Sequence, residues 1–300
     1  MDKHHLISIF VAVVDSNGLA GAARKLEISP SVVTRAINDL EEMLGVRLLT
    51  RTTRVVRVTE AGARYADVCR RILSELAEAD ESARGQHGSP QGRITITAPG
   101  WFGAKFLTPI VTAYLDQHPQ VSASCWFLDR VVNMIEEGVD VAVRFAVLPD
   151  SSLQAIPVGR MRVVTCASPA YLARQGTPRT LADLASHSIV SAGAVAPGHE
   201  LRFSQSGRSR VIKLQPRLAT TTNESAVAAA VTGFGLTQQM FYKVAEPLAS
   251  GQLQEVLCDF EPPALPVHVL HREGRYASRR VRAFLDLAIE RLRALPELQA

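Results

Sequence analysis

The fold is decided near the amino terminus, where residues 19–45 read LAGAARKLEISPSVVTRAINDLEEMLG. The first apolar residues of this stretch recur at helical spacing and predict a short amphipathic helix: Leu19, Ala22, Ala23 and Leu26. A tight connection follows. Ser29 can then cap a second helix with its hydroxyl, Pro30 suits the first helical position, and Gly45 suits the end. The stretch therefore predicts two short helices joined by a tight turn.

The helix that begins at Pro30 has two chemically different faces. An apolar stripe is formed by Val33, Ala36, Ile37, Leu40 and Leu44. A polar face is formed by Ser31, Thr34, Arg35 and Asn38. Hydroxyls and amides can bond base edges, and Arg can donate two hydrogen bonds to guanine. An isolated helix of this kind is more often simply solvated. Its position after a tight turn and before an Arg-rich hairpin favours a reader of the DNA major groove.

Outward from this pair, residues 54–58 alternate basic and apolar side chains, which predicts a strand pairing with the segment around Arg47 to Leu49. No acidic residue lies between Glu42 and Glu60. Three side chains near the hairpin tip are predicted to bind phosphates, namely Arg51, Thr52 and Arg54. An opening helix is predicted from Leu6, Ile9, Phe10, Val13 and Val14. We interpret residues 1–58 as a winged helix-turn-helix.

From Thr59 onward the sequence predicts a long helix with a heptad seam. The seam consists of Tyr65, Cys69, Ile72, Leu76 and Ala79, and Ala83 continues it. Such a seam favours dimerisation with a partner helix, and packing of the helix on its own domain is the alternative. Residues 85–92 have the Gly-rich composition of a hinge. Residues 59–91 are therefore predicted to form a linker helix and hinge.

Beyond the hinge, strand-like and helix-like runs alternate, which indicates an α/β domain over 92–300 with parallel sheets. A short helix is expected from Val131 to Glu137. A second unit of strands and helices begins near Arg162, and a final strand at 266–270 is expected to return to the first unit. This gives lobe I at about 92–162 and 266–300 and lobe II at about 163–265. Two such lobes leave a cleft at the strand ends, where ligands bind.

The bulk properties exclude several other classes. The chain has 300 residues and a formal net charge of +4, ordinary for a two-domain globular protein. Residues 6–14 are too short to span a bilayer, so we expect a cytoplasmic protein without membrane partners. Four scattered cysteines suggest neither a zinc site nor disulfides. His268 and His271 would face opposite sides of a strand, so no metal or other cofactor is expected. No hydrolase, zinc-protease, Walker or complete dinucleotide motif occurs, which argues against an enzyme.

Several ordered motifs closely resemble the LysR-type transcriptional regulator family. In the first 62 residues they are residues 22–26, 29–37, 40–41, 44–49, 51–54 and 58–62, and in the body they are residues 97–99, 140–144, 148–153 and 168–172. The resemblance implies a periplasmic-binding-protein-like effector domain whose ligand alters DNA bending and transcription. It also implies a homodimer or homotetramer on inverted repeats in promoter DNA, with Pro30, Ser31, Thr34 and Arg35 approaching the bases.

The sequence departs from this family at residues expected to form the effector cleft. Trp101 replaces a small hydroxyl residue, and its ring could stack on an aromatic ligand or fill the cleft. Asn223 follows Thr222 at the start of an Ala-rich helix whose free N–H groups could hold a carboxylate. Arg144 could add charge or form a structural ion pair. The expected effector is a small organic anion, with an aromatic ring as one option. The predicted contacts are Pro99, Gly100, Trp101, Phe102, Arg144, Thr222, Asn223 and Gln238.

Two other functions stay open from the sequence. The first is a DNA-binding repressor that needs no ligand, its cleft closed by Trp101. The second is an α/β enzyme, which the missing motifs disfavour.

Overall fold

A computed structural model describes residues 2–16, 18–51, 56–83, 89–146, 153–192, 199–272 and 277–299. The chain divides into two compact units. Met1–Arg93 makes up most of the first, and Ile94–Gln117, Ala123–Ala277 and Val281–Ala300 make up the second. Within the described residues no single helix has the length and apolar character needed to cross a membrane, and only the bent pair over Lys3–Asp15 and Leu19–Lys25 meets those criteria together.

The first unit contains the helices and the hairpin that the sequence predicted. Its elements are α1 (Lys3–Asp15), α2 (Leu19–Lys25), α3 (Pro30–Leu44), β1 (Leu49–Arg51), β2 (Val56–Val58) and α4 (Glu60–Ala83). Strands β1 and β2 are antiparallel, with Leu49 opposite Val58. A single apolar core joins the four helices to the base of the hairpin. The helix-turn-helix and its wing therefore share one core.

The two ends of α3 are set by local backbone chemistry. Pro30 occupies the first turn, and Gly45 ends the helix in the left-handed conformation with φ 67°, as predicted. The predicted side-chain cap at Ser29 is wrong, because the Ser29 hydroxyl makes no capping bond. It lies 2.9 Å from the Ser31 hydroxyl instead, so a neighbouring hydroxyl competes for it.

Glu41 connects α3 to the start of the wing through a buried carboxylate. Its Oε1 accepts hydrogen bonds from the backbone N–H of Leu48 at 2.8 Å and of Leu49 at 2.9 Å. Its Oε2 accepts one from Arg47 at 2.8 Å. Burial raises the pKa of Glu41, but the hydrogen bonds from Leu49, Arg47 and Leu48 outweigh it, so the pKa lies below the ordinary value. The charged form of Glu41 therefore stabilises the wing.

The second unit contains two five-stranded sheets and a separate hairpin. Its strands are β3 (Gly92–Ala98), β4 (Val121–Phe127), β5 (Val141–Phe145), β6 (Gln154–Met161), β7 (Val163–Ala167), β8 (Ile189–Ala192), β9 (His199–Gln205), β10 (Arg208–Leu214), β11 (Leu218–Thr220), β12 (Leu236–Met240), β13 (Gln254–Val256) and β14 (Leu265–His271). The first sheet has the order β4-β3-β5-β14-β6 and the second the order β11-β8-β12-β7-β13. Strands β9 and β10 form the hairpin.

In the described part of the chain, helices lie between these strands and after the last of them. They are α5 (Gly100–Phe102), a π-helical turn (Gly103–Leu107), α6 (Thr108–Gln117), α7 (Pro169–Gln175), α8 (Asn223–Val231), α9 (Phe241–Ala249), α10 (Arg279–Arg293) and three short 3₁₀ turns (Leu181–Ser186, Cys258–Phe260 and Pro296–Leu298). Because α5, the π-helical turn and α6 follow one another directly, residues 100–117 form one continuous helical segment.

The prediction of parallel sheets is wrong in part, because both sheets are mixed. Strand β5 is parallel to β3, but β14 is antiparallel to both β5 and β6. In the second sheet β12 is parallel to β8 and antiparallel to β7. Strand β14 enters the first sheet only after the chain has built the second. Alternating strands and helices do not encode the direction of a strand that returns so late.

The short helix expected from Val131 to Glu137 is also wrong, because this segment forms turns. The Asn133 side chain accepts hydrogen bonds from the backbone N–H of Ile135 at 3.2 Å and of Glu136 at 3.4 Å. The Glu137 carboxylate accepts one from the N–H of Asn133 at 3.0 Å. These side chains occupy donors that a helix would use, which is the usual way in which Asn interrupts helices.

Alternating residues predict a strand near 210–214 but none before it, so only one strand of the hairpin formed by β9 and β10 was predicted. Its two-residue turn has positive φ at both Ser206 (52°) and Gly207 (73°), the requirement of a type I′ turn. The Ser-Gly pair between Gln205 and Arg208 was the available sequence signal.

We expect Glu41→Ala to destabilise the first unit by about 3 kcal/mol, because the backbone N–H groups of Leu48 and Leu49 lose their acceptor inside the core. Glu41→Gln keeps one oxygen and should cost about 1 kcal/mol. Urea unfolding followed by circular dichroism measures both. Equal, negligible costs for the two variants would contradict this assignment.

The same contacts predict that the stability contributed by Glu41 decreases in acid. The folded-state pKa of Glu41 is lowered from 4.5, so its contribution is complete above pH 4.5 and is lost as the pH falls through the folded-state value. The difference in stability between the unmodified chain and Glu41→Gln should therefore shrink in acid. A stability difference between the two proteins that stays constant down to the acid unfolding transition would contradict this role of the Glu41 charge.

Candidate DNA interface and effector cleft

Helix α3 separates its two faces as the sequence predicted. Four residues of the apolar stripe have no exposed surface: Val33, Ala36, Ile37 and Leu40, each at 0%. On the other side Pro30, Ser31, Arg35 and Asn38 are exposed and Thr34 is half-buried. Burial of the stripe thus leaves one continuous polar face open to a partner.

Arg35 is the cation of this face. Within the described part of the chain it forms no ion pair. Its guanidinium is therefore available for an external acceptor. Of the predicted phosphate-binding residues, Arg51 ends β1 but its side chain is not described, and Thr52 and Arg54 lie outside the described residues.

The predicted dimer seam on α4 divides between two environments. Cys69 is buried in the core of the first unit, and Tyr65 packs against that core, its ring centroid 5.9 Å from that of Phe10. Ile72 and Leu76 are 45% and 43% exposed. The Ala79 side chain lies outside the described residues. The beginning of the helix therefore packs on its own unit, which was the alternative to dimerisation. The middle of the helix exposes apolar side chains to solvent.

The four cysteines are free, with Cys69 and Cys166 buried and Cys125 and Cys258 exposed. Loss of hydration raises the pKa of each thiol, to about 12 for Cys166. Raised pKa values keep thiols protonated and weakly reactive.

A cavity of about 350 Å³ lies between the two sheets of the second unit. The first sheet contributes strand ends and the loops after them, and the second contributes the starts of α8 and α9 and nearby strand ends. The described lining is Thr97, Ala98, Pro99, Leu128, Asp129, Arg130, Val131, Val143, Arg144, Phe145, Ala146, Ala192, Thr221, Asn223, Met240 and Lys243. We call this cavity the cleft; the ends of strands are where such sheets bind small molecules.

Three of the predicted effector contacts line the cleft, namely Pro99, Arg144 and Asn223. Gly100 and Thr222 lie beside it without lining it. The N–H of Gly100 donates to Asp129 at 3.0 Å. The Thr222 hydroxyl caps α8 by accepting a hydrogen bond from the N–H of Ser225 at 3.3 Å. The N-terminal end of α8 was predicted to bind a carboxylate. One of its backbone N–H donors is therefore already bonded to the Thr222 side chain.

The structure places the other three predicted contacts elsewhere. Trp101 lines a separate cavity of about 280 Å³, together with Lys105, Tyr242, Lys243, Glu246, Pro247, Ser250 and Gln252. The Gln238 side chain joins β12 to β9 by bonding the backbone N–H and carbonyl of Arg202 at 3.1 and 2.9 Å. Phe102 is buried completely.

Phe102 belongs to an aromatic cluster next to the cleft. Its ring centroid lies 4.9 Å from those of Phe106 and Phe145 and 5.4 Å from that of Tyr242. The last two contacts are edge-to-face, a favourable arrangement for aromatic pairs. Phe102 thus supports the cleft wall from behind.

Arg144 combines exposure to the cleft with a structural bond. Its guanidinium donates to the carbonyl oxygen of Val132, which fixes the turn-forming segment against β5. Burial lowers the pKa of Arg144, and the nearby charge of Glu137 opposes that shift. Glu137 is itself paired with Arg130 at 2.9 and 2.5 Å.

Two charged residues are among the cleft residues that sequence reasoning missed, namely Asp129 and Lys243. Asp129 accepts from Gly100 and, at 3.2 Å, from the side chain of Asn223, so it links the two sides of the cleft. Lys243 is only 7% exposed. Burial lowers its pKa to about 8, although the charges of Asp129 and Glu224 act in the opposite direction. The available signal was a lysine between apolar residues of α9, since charged side chains are seldom buried without a reason.

A helix-turn-helix with an exposed polar face, followed by a two-sheet α/β unit with a cleft, defines a ligand-responsive DNA-binding regulator as the class of protein. Residues 4–63 match the family model of the bacterial regulatory helix-turn-helix protein, lysR family, and residues 87–293 match the LysR substrate binding domain. The chain belongs to the LysR family and is a transcription regulator rather than an enzyme.

Individual relatives are similar to this chain over nearly its whole length. The HTH-type transcriptional regulator YhjC of Escherichia coli K12 is 32% identical over 288 residues, covering 95% of this chain and 96% of that protein. The regulator CrgA of Neisseria meningitidis serogroup C is 31% identical, with coverage of 95% and 96%. The solved structure of CrgA from Neisseria meningitidis superposes with a TM-score of 0.61, 29% identity and coverage of 97% and 99%. The full-length structure of the virulence activator AphB of Vibrio cholerae superposes with a TM-score of 0.60 and 26% sequence identity, and the match covers 96% of this chain and 99% of that one.

We expect Phe102→Ala to lower the free energy of unfolding of the second unit by about 3–5 kcal/mol, because it opens a cavity in the aromatic cluster. Trp101→Ala, at a half-buried position, serves as the control and should cost less. Urea denaturation gives both values. A cost below that of Trp101→Ala would contradict the supporting role of Phe102.

Proposed function

We propose that α3 reads operator DNA in the major groove through Ser31, Thr34, Arg35 and Asn38, with Pro30 close to the bases. The observation that carries this proposal is the exposed polar face of α3 opposite its fully buried stripe. The side chains have the chemistry for base edges, and Arg35 has no competing carboxylate within the described residues. Arg51, Thr52 and Arg54 of the wing bind phosphates and set the register of α3 on the duplex.

The regulator acts as a homodimer or as a homotetramer of paired dimers on inverted repeats in promoter DNA. The exposed apolar residues of α4 support this, namely Val68, Ile72 and Leu76. A row of apolar side chains on an exposed helix face is stabilised by an equivalent helix of a second copy. Twofold symmetry then presents two copies of α3 to two half-sites. The cytoplasm, which holds the bacterial chromosome, is the place of action.

The effector is a small molecule bound in the cleft that modulates DNA binding or bending. The cleft contains strand ends from both sheets, so a molecule bound there contacts both and can favour one arrangement over another. The ligand-independent alternative rested on Trp101 filling the cleft. Because Trp101 lines the other cavity, that argument loses its basis.

The DNA proposal is tested with operator sequences that the unmodified protein selects from random duplexes. Arg35→Ala should weaken binding by about 1–3 kcal/mol and relax the sequence preference, and adding Thr34→Ala should weaken it further. Met43→Ala is the matched control, since Met43 is 52% exposed on the same helix and outside the polar face. Fluorescence anisotropy measures the affinity. Unchanged binding by the double variant would refute the role of α3.

The dimer proposal is tested by adding charge to the exposed face of α4. The double variant Ile72→Glu and Leu76→Glu should shift the protein to monomers, because two like charges would meet across the helix pair. Val211→Glu is the matched control, since Val211 is 48% exposed on β10. Light scattering after size exclusion gives the mass. A double variant with the mass of the unmodified protein would exclude this face as the interface.

A further inference from the structure

Lys243 lies near the start of α9 as a largely buried lysine that forms no ion pair within the described residues. Only 7% of the residue is exposed. Across the described residues it forms neither a hydrogen bond nor an ion pair, and the ring of Tyr242 lies 5.6 Å from its Nζ. Removing an ammonium from water costs free energy unless an acceptor replaces the lost hydration. A bound molecule can therefore supply the hydrogen-bond acceptor that the ammonium of Lys243 lacks.

The carboxylate that faces Lys243 across the cleft is already engaged. One oxygen of Asp129 accepts from the N–H of Gly100 and the other from Asn223, at 3.0 and 3.2 Å. Glu224, in the first turn of α8, also acts on Lys243 through its charge. These two charges do not compensate for burial, and the pKa of Lys243 stays lowered to about 8. A bound anion would raise it again.

The other cations of the described cleft lining are committed to protein groups. Arg130 forms its pair with Glu137, and Arg144 donates to the carbonyl of Val132. Lys243 is thus the one cation of the described lining that forms no hydrogen bond or ion pair with a protein group. On the side of the first sheet, much of the lining is apolar, namely Pro99, Leu128, Val131, Val143 and Phe145, although Asp129, Arg130 and Arg144 also lie there. A volume of about 350 Å³ suits a small ligand, since ligand pockets start at about 300 Å³.

We propose that the effector is a small apolar monocarboxylate whose carboxylate binds the ammonium of Lys243. This inference rests on the proposed role of the cleft as the effector site. The carboxylate bonds α9 on the side of the second sheet, and the apolar body packs on Leu128 and Phe145 on the side of the first. One molecule then contacts both sheets, so its binding responds to their separation.

The first experiment measures binding of benzoate and hexanoate by calorimetry, each compared with its neutral amide, benzamide or hexanamide. The acids should bind and the amides should bind at least about tenfold more weakly, because a hydrogen bond to a charged group is lost. Lys243→Met should weaken the acids by a similar factor. Lys105→Met is the matched control, since Lys105 lines only the cavity of Trp101, and it should leave the affinity unchanged.

The second experiment uses the unmodified protein and does not depend on how Lys243→Met folds. The affinity for benzoate should be constant below about pH 8 and fall as the pH rises through it, by up to about tenfold per pH unit. The carboxylate is ionised throughout this range, so the change reports the loss of the Lys243 proton. In Lys243→Met, once thermal unfolding shows a folded protein, this dependence should disappear.

Several results would overturn the inference. Amides that bind as tightly as the acids, absence of binding by both acids, or an affinity independent of pH between 7 and about 9 would each do so. Loss of binding in Lys105→Met instead of Lys243→Met would place the anion in the cavity of Trp101. Anisotropy with operator DNA separates the two claims. If the acids bind through Lys243 and DNA affinity and bending do not change, the anion site stands and the proposed effector role of the cleft fails.

Discussion

Helix α3 has a single apolar stripe, and burial of that stripe holds the whole amino-terminal unit together. Val33, Ile37 and Leu40 are fully buried in a core shared by α1, α2, α4 and the base of the wing. Each such side chain contributes roughly 1.5–3 kcal/mol through removal from water. Because a helix has only one orientation that buries this stripe, the same interaction decides which side chains remain outside. The polar face of α3 is thus a direct consequence of core packing.

The second unit follows a different constraint, the late return of the chain to its first sheet. Strand β14 lies between β5 and β6, so that sheet is completed only after the second sheet has been built. The cleft is formed by strand ends and helix starts from both sheets, which explains why its lining comes from distant parts of the sequence. A site assembled in this way is sensitive to the arrangement of the two sheets, as expected for a domain that senses a ligand.

Charge is distributed in opposite ways at the two sites. On α3, Arg35 is exposed and solvated, so it can exchange water for a base or phosphate at small cost. In the cleft, Lys243 is buried and Asp129 is occupied by neutral donors. A charge in that environment has lost hydration already, so a matching ligand gains more from binding it. Under the two proposals, DNA recognition would use a hydrated surface and ligand recognition a desolvated interior.

The sequence by itself determined the local features of this protein. Helical spacing and the Pro30 and Gly45 signals were enough for α3, and the family motifs were enough for the class, because both depend on residues close together in the chain. The domain boundaries, the DNA contacts and the dimer seam remain predictions. Only the tertiary structure decided that β14 is antiparallel, that Asn133 breaks the expected helix, that Trp101 lines a different cavity, and that Lys243 lies in the cleft. These features depend on which distant segments of the chain come into contact. The exposure and the hydrogen-bond partners of a residue are set by neighbours in space, which the local sequence does not specify.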